Sequence, residues 1–226
     1  MNTRRRRENL MRWPDGASAI YSPGNEPYLG VPMLQQFDEM LVVLMEQNHK
    51  IGPWTRRNVL TAMQLAACEL VPQTSSLLFG MRESIRQCYL LSAAVMIRPI
   101  LERISTFSWL NEHPEGLELW TAGWLYGQRP SLKTRMESMG STPTAPDDSG
   151  ASVRDFLNSL VHGDPEAANM SAVFHDDGDV VYGVTKDTTS PNRASDLACQ
   201  GAMYTIALLS RAIQCFPDAI GQSPAS

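Results

Sequence analysis

The stretch RDFLNSLVHGDPEA, residues 154–167, sets Arg154, Asn158 and His162 ahead of a Gly-Asp-Pro stop. A histidine exchanges its proton near neutral pH, and a guanidinium stabilises the added negative charge of a phosphorane-like transition state. On a helix, Asn158 and His162 are neighbours four residues apart, so the amide can orient the imidazole ring. Arg154 and His162 are separated by about 12 Å along the axis and roughly 80° around it. They can grip one phosphate only if the arginine reaches back or a second subunit supplies the missing half. A plain structural reading stands beside this one: Leu157, Leu160 and Val161 pack into a core, His162 favours the negative end of the helix dipole, and Gly163 ends the helix.

A second pair lies upstream. In RPILE, Arg98 and Glu102 are four residues apart, suited either to an ion pair that fixes a central helix or to a polar pocket facing Asn158 and His162. His162, Asp164, His175, Asp176, Asp177 and Asp179 raise the question of a metal, but an Asp-Gly turn explains several of them. Their spacing matches no zinc or calcium loop, so neither a metal nor a cofactor is expected. No G-x-S-x-G, P-loop or Rossmann glycine pattern is present. His49 and His113 fall at predicted helix ends and read as caps, and Trp109, Trp120 and Trp124 read as core rather than as a ligand pocket.

The elements that must position these residues are mostly helical. Pro32 suits a first turn, and Leu34, Phe37, Leu41, Leu44 and Met45 follow at three- and four-residue spacing, predicting a helix that ends near Lys50. Thr55 can cap a second helix, which Pro72 must end or kink. From Ser75 to Asn111 the chain is at its most apolar and reads as a central helix, kinked or restarted near Arg98 by Pro99. Short helices are predicted from Pro114 to about Leu125 and from Pro130, then a loop over 140–152 and the helix of the opening stretch. SAVFHDDGDVVYGVT reads as a β-hairpin, and Ser190 and Pro191 open a long last helix that Pro217 stops. The fold class is therefore mainly all-α, a multi-helix bundle with a small β-hairpin before the last long helix. A flexible N-terminal arm over 1–31, one bundle domain over 32–217 and a disordered tail over 218–226 complete the expected organisation.

Composition bounds the function. With 226 residues and 43% hydrophobic content the chain can bury one sizeable core. Cys68, Cys88, Cys199 and Cys215 are scattered through apolar stretches and read as buried, reduced thiols. No long apolar run follows the arginines of MNTRRRRENLMRWPDG, and LLSAAVMI is far shorter than the roughly 20 residues of a membrane span, so a cytoplasmic protein without membrane contact is expected. The first twelve residues carry +4 of a net charge of −5, leaving −9 on the rest. An acidic body argues against a broad nucleic-acid surface and leaves room for a small catalytic cleft.

With LNSLVHGD ending one helix and RPILERISTFSWL forming an earlier one, residues 57–215 resemble the HEPN-like helical-bundle proteins. The resemblance is to poorly characterised bacterial members in which an R-x-x-x-E helix precedes a helix ending in His-Gly. Many HEPN proteins are metal-independent RNases that act as dimers in toxin–antitoxin and antiviral defence systems, with four to six residues between a catalytic arginine and histidine. The resemblance implies a homodimer, an RNA substrate, a hydrolase activity without cofactors, and catalytic roles for Arg154, Asn158 and His162. The departure is the spacing, since seven residues separate Arg154 from His162. A competing reading is a non-catalytic helical adaptor that dimerises or holds a protein partner through an exposed apolar helix.

Overall fold

The computed structural model describes residues 21–125, 127–139, 153–162, 172–174, 180–182 and 186–221. Among them, helix dominates. Pro32 opens α1 (Pro32–Thr55), whose buried face is Leu34, Phe37, Leu41, Leu44 and Ile51. The helix passes the expected end near Lys50 and takes Gly52 and Pro53 into its last turn, with Ile51 still buried. Thr55 closes that end by donating to the Gly52 carbonyl and does not cap the next helix. The cap is Thr61: its hydroxyl accepts from the Gln64 N–H while the Gln64 side chain accepts from the Thr61 N–H, a reciprocal box that starts α2 (Ala62–Arg86).

The expected central helix from Ser75 to Asn111 is two helices. α2 runs through Pro72 to Arg86, and α3 (Leu90–Glu112) runs unbroken through Pro99, so the division falls upstream of Arg98. Its cause is a Schellman closure: Tyr89 N–H donates to the Ser84 carbonyl and Cys88 N–H to the Ile85 carbonyl, with Cys88 at φ 62° where glycine is usual. The three residues between the helices fold α3 back along α2. α4 (Gly116–Thr121) and α5 (Leu132–Glu137) come after α3, the latter capped by Ser131 accepting from Thr134 N–H.

α6 (Val153–His162) comes next, and two three-residue strands, β1 (Ala172–Phe174) and β2 (Val180–Tyr182), pair antiparallel with Val173 opposite Val181. The loop expected over 140–152 and the Asp-Gly turn between the strands lie outside the described residues. Pro191 occupies the first turn of α7 (Pro191–Cys215), which Ser190 precedes without a side-chain capping bond. Pro217 ends α7 and also begins α8 (Pro217–Gly221), whose Ala219 is buried. The chain therefore belongs to the bundle as far as residue 221, beyond the expected start of the tail.

The long helices α1, α2, α3 and α7 make the bundle: α3 packs on α2 and α7, α1 on α7, and α5 and α6 close over α3. The N-terminal lead-in also differs from expectation, because residues 21–31 are laid onto the bundle. Tyr21 exchanges two hydrogen bonds with the buried Gln87 side chain, and Tyr28 hydroxyl donates to the Asp187 carbonyl and accepts from Ser190 N–H. Glu26, its side chain only 1% exposed, grips Arg82 through both oxygens, and Arg82 turns its remaining edge to Asp38 at 2.6 and 2.9 Å.

This packing fixes the sign of two substitutions. A methyl group added at Gly201 would sit 2.5 Å from ring atoms of the fully buried Phe37. Helix propensity favours alanine by about 1 kcal/mol, yet overpacking costs about 1–3 kcal/mol, so Gly201→Ala lowers stability in urea titration and Phe37→Leu in the same chain recovers part of the loss. Arg82→Met strands the buried Glu26 carboxylate and costs about 3–5 kcal/mol, and adding Glu26→Gln restores much of it, both read by the denaturation midpoint.

Candidate active site at the α3–α6 corner

α6 is anchored by Leu157 and Leu160, which are buried together with Ser159, while Asp155, Val161 and His162 are exposed. This phase leaves Asn158 half-buried on the side toward α3. There Arg98 Nη1 donates to Asn158 Oδ1, so two residues sixty apart in sequence are joined. Arg98 Nε also faces Glu102 at 3.4 Å, and the other Glu102 oxygen meets Arg129 Nη2 at 3.5 Å. The Arg98 and Glu102 side chains are 28% and 27% exposed, so the pair is neither sealed in the core nor free in solvent.

Behind them lies Arg135, on α5 and almost wholly buried. Its Nη1 donates to the Glu102 carbonyl and the Thr106 hydroxyl, and its Nε to the Pro130 carbonyl. Burial pushes its guanidinium down to about 10; Arg129 adds to that and Glu102 opposes it. Arg98 and Arg129 thus divide the Glu102 carboxylate between them, while Arg135 holds the same residue's main-chain carbonyl.

Of the residues singled out by sequence, Arg98, Glu102 and Asn158 are brought together. His162 comes later on the same helix, exposed, and has no hydrogen-bond partner among the described residues, so no bond ties Asn158 to its ring. Arg154 begins the same helix, and its side chain lies outside the described residues, as do Asp164, His175, Asp176, Asp177 and Asp179. Because Asn158 Oδ1 is occupied by Arg98, the amide presents Nδ2 as a donor to a ligand. Arg129 and Arg135 were not legible as site residues. The only local signal was a short amphipathic helix after Pro130, which says nothing of where its arginine points.

The remaining candidates have structural explanations. No group of three or more metal-ligating side chains exists among the described residues. Trp109 stacks on His113 at 4.8 Å and tilts against Trp124 at 5.7 Å, while Trp120 packs on the core, so these rings brace the end of α3. His113 ends α3 and faces Glu115, and His49 faces the Met45 carbonyl. The cysteines form no disulfide, but only Cys88 is buried; Cys68, Cys199 and Cys215 are partly exposed. A groove of about 680 Å³ lined by Leu29, Leu34, Val42 and Val43 carries Glu26 and Asp38 on its rim, and both carboxylates are already taken by Arg82.

No protein-family model, curated protein or solved structure matches this chain. Among the described residues, no helix is long and apolar enough to cross a membrane.

The Glu102 carboxylate should matter little to folding compared with the residues that anchor α6. Contacts as long and exposed as those of Glu102 are worth about 1 kcal/mol or less, so Glu102→Ala changes the unfolding free energy by roughly that amount. Leu160→Ala, which empties a buried site, costs about 2–5 kcal/mol. Chemical denaturation of the two variants checks the ranking.

Proposed function

We propose that the chain is a HEPN-like RNase that cleaves RNA without a metal, as a cytoplasmic homodimer in a bacterial antiviral defence or toxin–antitoxin system. The observation that carries the reading is the Arg98–Asn158 hydrogen bond, which couples the R-x-x-x-E helix to the helix ending in the exposed His162. In this reading the ribose 2′-oxygen attacks the adjacent phosphorus and the P–O5′ bond breaks. His162 takes the proton from the attacking hydroxyl or gives one to the leaving oxygen. Asn158 Nδ2 is one turn away to hold the ring or the phosphate, and Arg154, from the same chain or its twin, steadies the phosphoryl charge. The net acidity of the body fits a short catalytic cleft in place of an extended RNA track.

A second reading is favoured by one specific observation. Met203, Ile206 and Ile213 form an exposed apolar stripe on α7, which suits a non-catalytic adaptor or dimerisation surface for a protein partner.

Purified full-length protein incubated with total RNA in EDTA separates the two. Cleavage should persist in the chelator, and His162→Ala should slow it about 100-fold or more while its urea midpoint stays that of the parent. Equal rates for parent and variant would remove His162 from the mechanism, and an inert parent would leave the adaptor.

A further inference from the structure

We infer that the corner between α3, α5 and α6 binds a phosphate-type oxyanion through Arg98 and Arg129, with Arg135 as the buried charge behind them. The site would serve an inert binding protein as well as an enzyme, so it does not depend on cleavage.

Two arginine environments contrast within the molecule. Arg82 shows what a structural arginine looks like here: two carboxylates, Glu26 and Asp38, hold it at 2.6–3.0 Å and more than cancel its charge. The corner is the reverse. Among the described residues, Arg98 and Arg129 pair with Glu102 and Arg135 with no carboxylate, so these four residues carry +2, on a chain whose charge beyond its first twelve residues is −9.

The bonding is also unfinished. Glu102 splits its two oxygens between Arg98 and Arg129 at 3.4 and 3.5 Å, so neither guanidinium has the paired short contacts that a carboxylate makes with an arginine fork. Arg135 is the sharper case, since its acceptors are two main-chain carbonyls and a hydroxyl, and among the described residues it makes no ion pair. A buried cation solvated only by neutral dipoles is costly unless an anion approaches. Structure alone explains why Arg135 pins α5 to the Glu102 turn of α3, but it does not explain two further arginines gathered on its solvent side. Arg129, 49% exposed, and Arg98 can turn their forks outward to a tetrahedral oxyanion, and Asn158 Nδ2 adds a neutral donor.

Calorimetric titration of the full chain tests this with three probes at matched ionic strength: inorganic phosphate, adenosine 5′-monophosphate, and a short 2′-O-methyl oligonucleotide that cannot be cleaved at its 2′-oxygen. Saturable binding of at least one probe is expected. Arg129→Gln should weaken it tenfold or more without shifting the unliganded Tm, and Arg57→Gln, an exposed charge elsewhere, should leave it unchanged. Tighter binding of the oligonucleotide would name a diester as the ligand, and tighter binding of the small anions a monoester or free phosphate. No saturable binding, or equal loss in both variants, overturns the inference. Binding by a parent that never cleaves RNA upholds the site and defeats the nuclease reading, whereas cleavage indifferent to Arg129→Gln does the opposite.

Discussion

The bundle is organised by the need to cover α3 on nearly every side. Ala93, Ala94, Ile97, Ile100, Leu101, Ile104, Phe107 and Leu110 cannot be hidden by one neighbour, because together they span more than half of the helix circumference. α2 and α7 take the long flanks, and α5 and α6 close the remainder. Charge is tolerated on such a helix only where coverage stops. Arg98 and Glu102 mark that margin, and the polar corner forms there because the margin is also where α6 is laid down.

The helices themselves are readable wherever one apolar face dominates. Pro32, Pro191 and the periodic leucines locate α1 and α7, and Leu157 and Leu160 locate α6, since burying a stripe is a local property of the pattern. The divisions between helices are harder to read. Proline reads as the punctuation at 72 and 99, yet both sit inside helices. The real break is written by hydrogen bonds around Cys88, where a left-handed residue without glycine gives no compositional mark. Likewise Thr55 reads as a cap, yet the cap is Thr61, whose box partner Gln64 three residues on is the signal that a reading from Thr55 misses.

The candidate site is half legible for a similar reason. Asn158 and His162 are related by helix geometry, and so are Arg98 and Glu102; each pair can be found by counting. The bond between the pairs spans sixty residues and depends on how α6 docks, and Arg129 and Arg135 enter through a segment whose own pattern is too short to orient it. Long-range polar contacts of this kind carry no periodicity, so chemistry assembled from several helices is seen in the coordinates first.

The Tyr28 phenol joins two stretches that lie far apart along the chain, donating to the Asp187 carbonyl and accepting from Ser190 N–H. Lys186 sits over the Tyr21 and Tyr89 rings at 4.5 and 5.6 Å, and Asp187 N–H donates to the Cys88 carbonyl, so the same two stretches are tied again at the α2–α3 turn. Neither strand of this clasp can lift away without breaking the other's bonds. Amides at 21–31 and 186–190 should therefore exchange with solvent in one concerted opening, a cooperative flap whose release frees the start of α7 and the N-terminal lead-in at the same instant.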